Sequence, residues 1–251
     1  MRQAQSDFRE HGFAVLRQYL NGEEVAALRG AFENFRLNIA PTLDKRAVMY
    51  EDYSDADTIK QSHSLHLEPT LAASMHTGKI HALAEACIGP AIPQNVEYFD
   101  KPPGRNHETP PHQDGYYFCL TPNEACTVWI PLAPIVAAGG ALTYVRGSHR
   151  LGVRPHEASN LLGFSQGLAE DPRELGEAVI CEVEPGDVLI HHSLTVHYAG
   201  ANRTAQRRPV IAYTFFSNAA QPDVEAKARY DAALRRQHTA KGLLPTLESE
   251  S

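Results

Sequence analysis

The chain has 251 residues, 43% of them hydrophobic, which suits one large β-rich domain or two small ones with a real core. Its formal net charge of −7 argues against nucleic acid as the main partner, and no run of about 20 apolar residues is present to span a membrane. The four cysteines show no paired spacing and residues 1–7 carry no signal-peptide apolar region, so a cytoplasmic protein with reduced, mostly buried thiols is expected.

Residues 4–11 suit a short helix, and Gly12-Phe13-Ala14-Val15-Leu16 reads as a strand. Asn21 is placed to cap a second helix, with Glu24 completing a capping box. Val25, Leu28, Phe32, Phe35 and Ile39 then recur at helical spacing until Pro41. Residues 42–70 read as irregular, either a solvated loop or a lid with substrate contacts. Ile80, Leu83, Ala84 and Cys87 mark another helix, stopped by Gly89-Pro90.

From Gln94 the texture changes to short apolar runs between Pro and Gly. Expected strands are 94–100, 115–119, 126–132, 141–145, 178–183, 187–191, 194–199 and 208–216, the pattern of an all-β sandwich or barrel. The insert at 156–177 is expected to be a loop with a helical turn. Val224, Ala228, Tyr230, Ala233 and Leu234 offer one face of a closing helix, and the tail from Pro245 is expected to be disordered. The chain therefore reads as one domain, mainly β with flanking helices. A helical layer covers about 1–93, a double-sheet jelly-roll core about 94–218, and a C-terminal helix about 222–241.

His112-Gln113-Asp114 carries the chemistry. In an extended segment, residues two apart point to one side. Imidazole plus carboxylate is two-thirds of a facial triad for non-haem Fe(II). Among 13 histidines such a triplet alone is weak, so a third, distant histidine is needed. His197 is offered after Pro185-Gly186-Asp187 and an apolar run, but His191 and His192 compete and strand alternation does not separate them. Arg208 follows on the next strand with Val210, Ala212 and Thr214 on its face, and Arg207 points the other way. A guanidinium there suits a dicarboxylate.

The motifs from Lys101-Pro102-Pro103-Gly104 through His112-Gln113-Asp114-Gly115-Tyr116-Tyr117-Phe118, Trp129, Gly139-Gly140-Ala141-Leu142 and Arg146-Gly147-Ser148-His149 resemble the phytanoyl-CoA dioxygenase family. Pro185-Gly186-Asp187, His197, Asn202 and Arg208 extend the likeness, and residues 42–93 match only loosely. The resemblance implies a double-stranded β-helix (jelly-roll, cupin-like) fold, Fe(II), 2-oxoglutarate and O2, with succinate and CO2 as co-products of a hydroxylation. It places His112, Asp114 and His197 as iron ligands, favouring His197 over its neighbours. It pairs Arg208 with the distal carboxylate of 2-oxoglutarate beside Trp129. One departure stands out. Many members carry Ser or Thr two residues after the distal histidine, where this chain has Ala199, so Thr143, Tyr144 or a water is expected to assist Arg208.

A small-molecule substrate, polar or anionic, is expected from Gln94 and Tyr98 on the strand before the triad, with Lys60, His63, His66, Arg105, His107 and Tyr116 near the mouth. The alternatives are an acyl-CoA hydroxylase of the same family and a cupin-like binding protein or metal isomerase. A halogenase is disfavoured because Asp114 is present.

Overall fold

A computed structural model describes residues 1–44, 47–104, 108–159 and 165–240. Helix α1 (Arg2–His11) is closed by Gly12 at φ 85°, whose N–H bonds the Phe8 carbonyl, and the chain passes straight into strand β1 (Phe13–Leu16). The capping box forms as expected on α2 (Gly22–Asn34), with Glu24 N–H donating to the Asn21 side chain and Glu24 accepting from Asn21 N–H. The helix runs on through a π turn (Phe35–Ile39) and ends in a 3-10 turn around Pro41. Strands β2 (Val48–Tyr50) and β3 (Ile59–Ser62) precede α3 (Pro69–Ser74) and α4 (Gly78–Ile88). Then come β4 (Ala91–Phe99), β5 (Thr109–His112), α5 (Asp114–Phe118), β6 (Leu120–Thr121), β7 (Ala125–Pro131) and β8 (Leu142–Val145). The chain continues through β9 (His156–Ala158), β10 (Gln166–Leu168), β11 (Ala178–Cys181), β12 (Val188–His192) and β13 (His197–Ala199). Strands β14 (Val210–Ser217) and β15 (Gln221–Pro222) lead into α6 (Val224–Ala240).

Two antiparallel sheets face each other in a jelly-roll. The larger has the order β1-β12-β7-β14-β4-β3-β2 and the smaller β11-β8-β13-β5. Period-two alternation sorts the side chains of the larger sheet. Cys126, Val128 and Ile130, with Val188, Ile190, Ile211, Tyr213 and Phe215, pack outward against Phe8, Leu28, Phe32, Phe35 and Leu83 of the helical layer. Trp129, Leu189, Val210 and Ala212 point inward and meet Leu142, Tyr144, Cys181 and Ala199 of the smaller sheet. The sites of interest lie in this space between the sheets.

Several expectations change. The stretch 42–70 is not simply irregular: β2 and β3 form a hairpin that extends the larger sheet, with Gln61 and Ser62 paired to Phe99 and Tyr98. Its polar residues are buried by pairing, which periodicity does not detect. In the expected strand 115–119, residues 115–118 belong to helix α5 and Cys119 caps it in the left-handed region; a Gly-Tyr-Tyr-Phe run has strand composition, but Gly115 N–H is taken by the Ser193 carbonyl. Strand β5, outside the expected set, carries Pro110-Pro111 and lies at the sheet edge, where proline is tolerated. The 156–177 insert contains a β9–β10 hairpin besides its 3-10 turn (Pro172–Glu174). Helix α6 covers only part of the face expected: Val224 is 77% exposed and Ala228 is exposed, whereas Tyr230, Ala233 and Leu234 are half-buried. The tail from Pro245 lies outside the described residues. The four cysteines are free thiols, and among the described residues no helix is long and apolar enough to cross a membrane.

Candidate metal and co-substrate site

His112 closes β5 and pairs in register with His197 on β13, which in turn pairs with Tyr144 on β8. Residues opposed in a ladder point to one face, so all three side chains enter the space between the sheets. Asp114 is not in an extended segment. Gln113 is the last residue with β angles, and Asp114 is the first of α5, so the turn into the helix swings the carboxylate back toward the strand end. The Gln113 side chain is buried and holds this turn, donating to the carbonyls of Gly152 and Leu194 and accepting from Arg154 N–H.

The donor atoms of His112, Asp114 and His197 lie within 4.8 Å of one another, the sole such group of three among the described residues. Each Nε2 faces Asp114 Oδ1, His112 at 3.5 Å and His197 at 3.6 Å. Backbone carbonyls take the other ring nitrogens: His112 Nδ1–H donates to Pro110 O at 2.8 Å and His197 Nδ1–H to Thr195 O at 3.0 Å. Those bonds leave both Nε2 lone pairs aimed at a carboxylate oxygen. Burial, with His112 and His191 nearby, pushes His197 well below the usual imidazole range, so it stays neutral. Three converging lone-pair donors repel one another unless a cation lies between them, and ligand bonds of about 2.0–2.2 Å are within reach of this spacing. The residues therefore fit a divalent metal.

The remaining oxygen of Asp114 is held by protein donors. Thr127 Oγ1–H donates to Oδ2 at 2.8 Å and His191 Nε2 contacts it at 3.1 Å, while Tyr144 O–H reaches His191 Nδ1 at 2.9 Å. His191 thus orients the carboxylate. His192 faces the opposite side, against Phe8 and Glu124. Of the three histidines, His197 faces Asp114 Oδ1, His191 faces Oδ2, and His192 lies on the helical side. Thr127 was missed; its signal is its place two residues before Trp129 on β7, which puts both on the inner face.

Trp129 therefore lies about 7 Å along β7 from the residue that grips Asp114. The Arg208 guanidinium stacks over the Trp129 ring at 4.8 Å, donates from Nε to the Gly140 carbonyl at 3.1 Å, and is 4% exposed. Burial brings it down to about 10, with Asp100 and Tyr144 opposing, so it remains a cation at neutral pH. Gly140 has φ 79°, and a Cβ there would stand 2.6 Å from the Gly200 carbonyl oxygen, so the turn beneath Arg208 requires glycine. Arg207 points away as expected but is no idle charge. It pairs with buried Asp100 and donates to the carbonyls of Asp57 and Ile59.

Other expected contacts separate. Thr143 is in register with Tyr198 and with Ile180, which is 57% exposed, so it faces outward; Tyr144 faces inward. Tyr98 stacks on Phe32 of α2 at 4.0 Å in the helical layer, and Gln94 is exposed beside a register shift in the β4–β14 ladder. Neither reaches the inner space. The shift of parity along β4 instead turns Asn95, Glu97 and Phe99 inward, opposite Thr214, Ala212 and Val210. His63 is retained near the mouth: it pairs with Glu97, and Gln61 Nε2 lies 3.0 Å from its Nε2. Lys60 pairs with Glu51 at 3.5 Å, and His66 is exposed. Tyr116 stacks on His156 at 4.1 Å, and both meet Tyr117, whose ring lies 6.1 Å from His112. Arg105 and His107 lie outside the described residues.

The profile of the family described as "Phytanoyl-CoA dioxygenase (PhyH)" matches residues 8–210. The peroxisomal phytanoyl-CoA dioxygenase of Homo sapiens is 24% identical over 224 residues, 84% of this chain and 66% of that protein. The 1-deoxypentalenic acid 11-beta-hydroxylase of Streptomyces arenae is 27% identical over 215 residues, 75% of this chain and 70% of that protein. The chain thus spans a little under two thirds of the human relative's length. Among solved structures, the epimerase SnoN in complex with Fe3+, alpha ketoglutarate and nogalamycin RO superimposes with a TM-score of 0.68 at 22% identity, covering 89% of this chain and 86% of that one.

Proposed function

Because the chain belongs to the phytanoyl-CoA dioxygenase family, we propose that it is an Fe(II)- and 2-oxoglutarate-dependent dioxygenase that hydroxylates a small, polar or anionic organic substrate with release of succinate and CO2. The observation that carries this reading is the convergence of two backbone-oriented imidazoles on Asp114, with Arg208 stacked over Trp129 farther along the same inner face. His112, Asp114 and His197 would hold the iron in this reading. The iron, when bound, supplies the activation of O2 that couples decarboxylation of the oxo acid to oxidation of a C–H bond. The chain's residues position. His191 and Thr127 fix the carboxylate, the Pro110 and Thr195 carbonyls fix the two imidazoles, and Arg208 offers a planar pair of donors to the far carboxylate of the oxo acid. Trp129, over which the Arg208 guanidinium stacks, would exclude water from that side of the pair.

The substrate class is read from the inner wall of β4. Across the larger sheet Asn95 lies in one row with Thr214 and Thr127, and Thr127 grips Asp114. Asn95 Nδ2 donates to Glu97 at 3.2 Å, and Glu97 pairs with His63. The Glu97 hydrogen bond raises His63 against the opposing effect of burial, so the pair is ionic over a wider pH range. Donors and acceptors left unmatched on such a wall cost about 1–3 kcal/mol each, which favours a polar substrate over a bare hydrocarbon. Tyr116, Tyr117, His156 and Tyr230 form an aromatic cluster that reaches the His112 ring through Tyr117. The test is metal analysis with a succinate-release assay over a panel of small acids, amino acids, organophosphonates and phytanoyl-CoA. Stimulation by small polar compounds is expected. Turnover coupled only by long acyl-CoA esters would remove the small-substrate reading, and absence of 2-oxoglutarate turnover in the iron-loaded protein would remove the enzyme class.

A further inference from the structure

We propose that His156 is a positioning residue for the metal site: its ring holds the bend that carries Asp114 back to the two imidazoles, a role that rests on the metal reading above. Strand β5 is the edge of the smaller sheet, so no further strand of that sheet pairs with its free side. Pro110 and Pro111 present no N–H there. Gln113, between the candidate ligands His112 and Asp114, does present one, and it donates to His156 Nε2 at 3.2 Å. The other ring nitrogen is committed too: His156 Nδ1–H donates to the Arg154 carbonyl at 2.9 Å. That pair of bonds requires a neutral ring with its proton on Nδ1. Burial acts in the same direction, bringing this imidazole down to about 4.

The same ring reaches past Asp114 to the residues that follow it. It stacks on Tyr116 of α5, with centroids 4.1 Å apart and planes 15° apart. One side chain therefore brackets Asp114, as acceptor for the residue before it and as stacking plane for the helix after it. The segment that carries His156 also holds the Gln113 side chain, which donates to the Gly152 carbonyl at 3.0 Å and accepts the Arg154 N–H at 2.7 Å. This segment is anchored without any metal. Arg154 pairs with Glu170, the Pro155 carbonyl accepts the Ala169 N–H at 3.0 Å, and β9 pairs with β10. Gly167 of β10 in turn lies against Pro110, since a Cβ on it would stand 3.5 Å from the Pro110 Cβ. Ligand constellations work within about 0.5 Å of their productive geometry. An amide at Gln113 without its acceptor would release the bend, and the slack would be felt at Asp114.

The experiment titrates the metal-free full chain with Co(II), followed by calorimetry and by the visible absorption of the bound ion, neither of which needs turnover. His156→Phe keeps a ring for Tyr116 and removes the acceptor. His156→Gln removes the ring and keeps an acceptor near the place of Nε2. His156→Phe is expected to weaken Co(II) roughly tenfold to a hundredfold and to alter its absorption spectrum, and His156→Gln to recover most of the affinity. Glu170→Gln loosens the Arg154 pair without touching the His156 bonds; it controls for stability of the hairpin and should bind Co(II) as wild type does. Nitrogen NMR of the metal-free wild type needs no variant and should find His156 protonated on Nδ1 alone. Equal Co(II) affinity and spectrum in wild type and His156→Phe would overturn the positioning role. So would equal weakening by the Phe and Gln variants, or a His156 proton on Nε2. A wild-type protein that binds no Co(II) would overturn the metal reading, and the role of His156 with it.

Discussion

At the scale of single residues, the arrangement around Asp114 ranks the histidines. His112, Asp114 and His197 each supply a donor atom to one point, so replacing any of them by alanine is expected to abolish Fe(II) binding and succinate formation. His191 acts through Asp114, and loss of such an orienting partner costs roughly tenfold to a hundredfold in metal affinity. His192→Ala, on the helical side, should leave metal affinity near wild type. Calorimetric metal titration checks the order, and iron binding that survives His197→Ala but not His192→Ala would refute it. The two adjacent arginines divide similarly. Arg208→Ala should raise the apparent KM for 2-oxoglutarate roughly tenfold to a hundredfold, the range of a charge-assisted pair. Arg207→Ala should leave that KM alone and instead lower stability by about 1–3 kcal/mol, because it deprives buried Asp100 of a donor. Steady-state kinetics beside urea melts separate the two effects.

At the scale of elements, the junction of β1 with β12 depends on one carboxylate. Asp187 accepts from Gln18 N–H at 2.9 Å, from Glu184 N–H at 3.1 Å and from Arg17 at 2.7 Å, tying the end of β1 to the turn before β12. Burial acts to raise this carboxyl, but the two amides and Arg17 outweigh it and hold it below the ordinary range. A depressed carboxylate contributes stability above the unfolded-state value of about 3.9, and that contribution fades as the pH falls through the lower folded value. Asp187→Asn should therefore be less stable than wild type at pH 7, with the gap closing as the pH falls below about 4. A gap that widened in acid would contradict this. Denaturant melts across pH measure it. The strand ends are legible because Pro185-Gly186-Asp187 is a turn signal, whereas α5 is not: its Gly-Tyr-Tyr-Phe sequence carries strand composition, and the Gln113, Asn123 and Ser193 contacts that bend it come from distant parts of the chain.

At the scale of the whole molecule, we propose that the chain is a single folding unit. The helical layer and the larger sheet share one continuous buried cluster running from Ala4 to Phe215, which supports that reading. Calorimetry should give one transition whose calorimetric and van't Hoff enthalpies agree. Mn(II) together with 2-oxoglutarate should raise its midpoint, since ligands bound only by the folded state add about 2.7 kcal/mol at a hundred times Kd. Two resolved transitions would sink the single-unit proposal, and an unchanged midpoint would count against metal and co-substrate binding.

The residue order alone pointed to the jelly-roll, the helical layer and the capping box, because alternation, helical spacing and capping chemistry are local signals. It also brought forward His112, Asp114, His197 and Arg208, whose roles remain proposals tested by the variants above. The resemblance favoured His197 over His191, and the tertiary structure added where each ring lies, through the register of β13 with β5 and the Asp114 oxygen that each meets. It likewise turned Thr143 and Tyr98 away from the space between the sheets and brought Asn95 and Glu97 to it. A one-residue change of register reverses every side chain of a strand. Nothing local records which face a strand presents when polar and apolar residues line both sides.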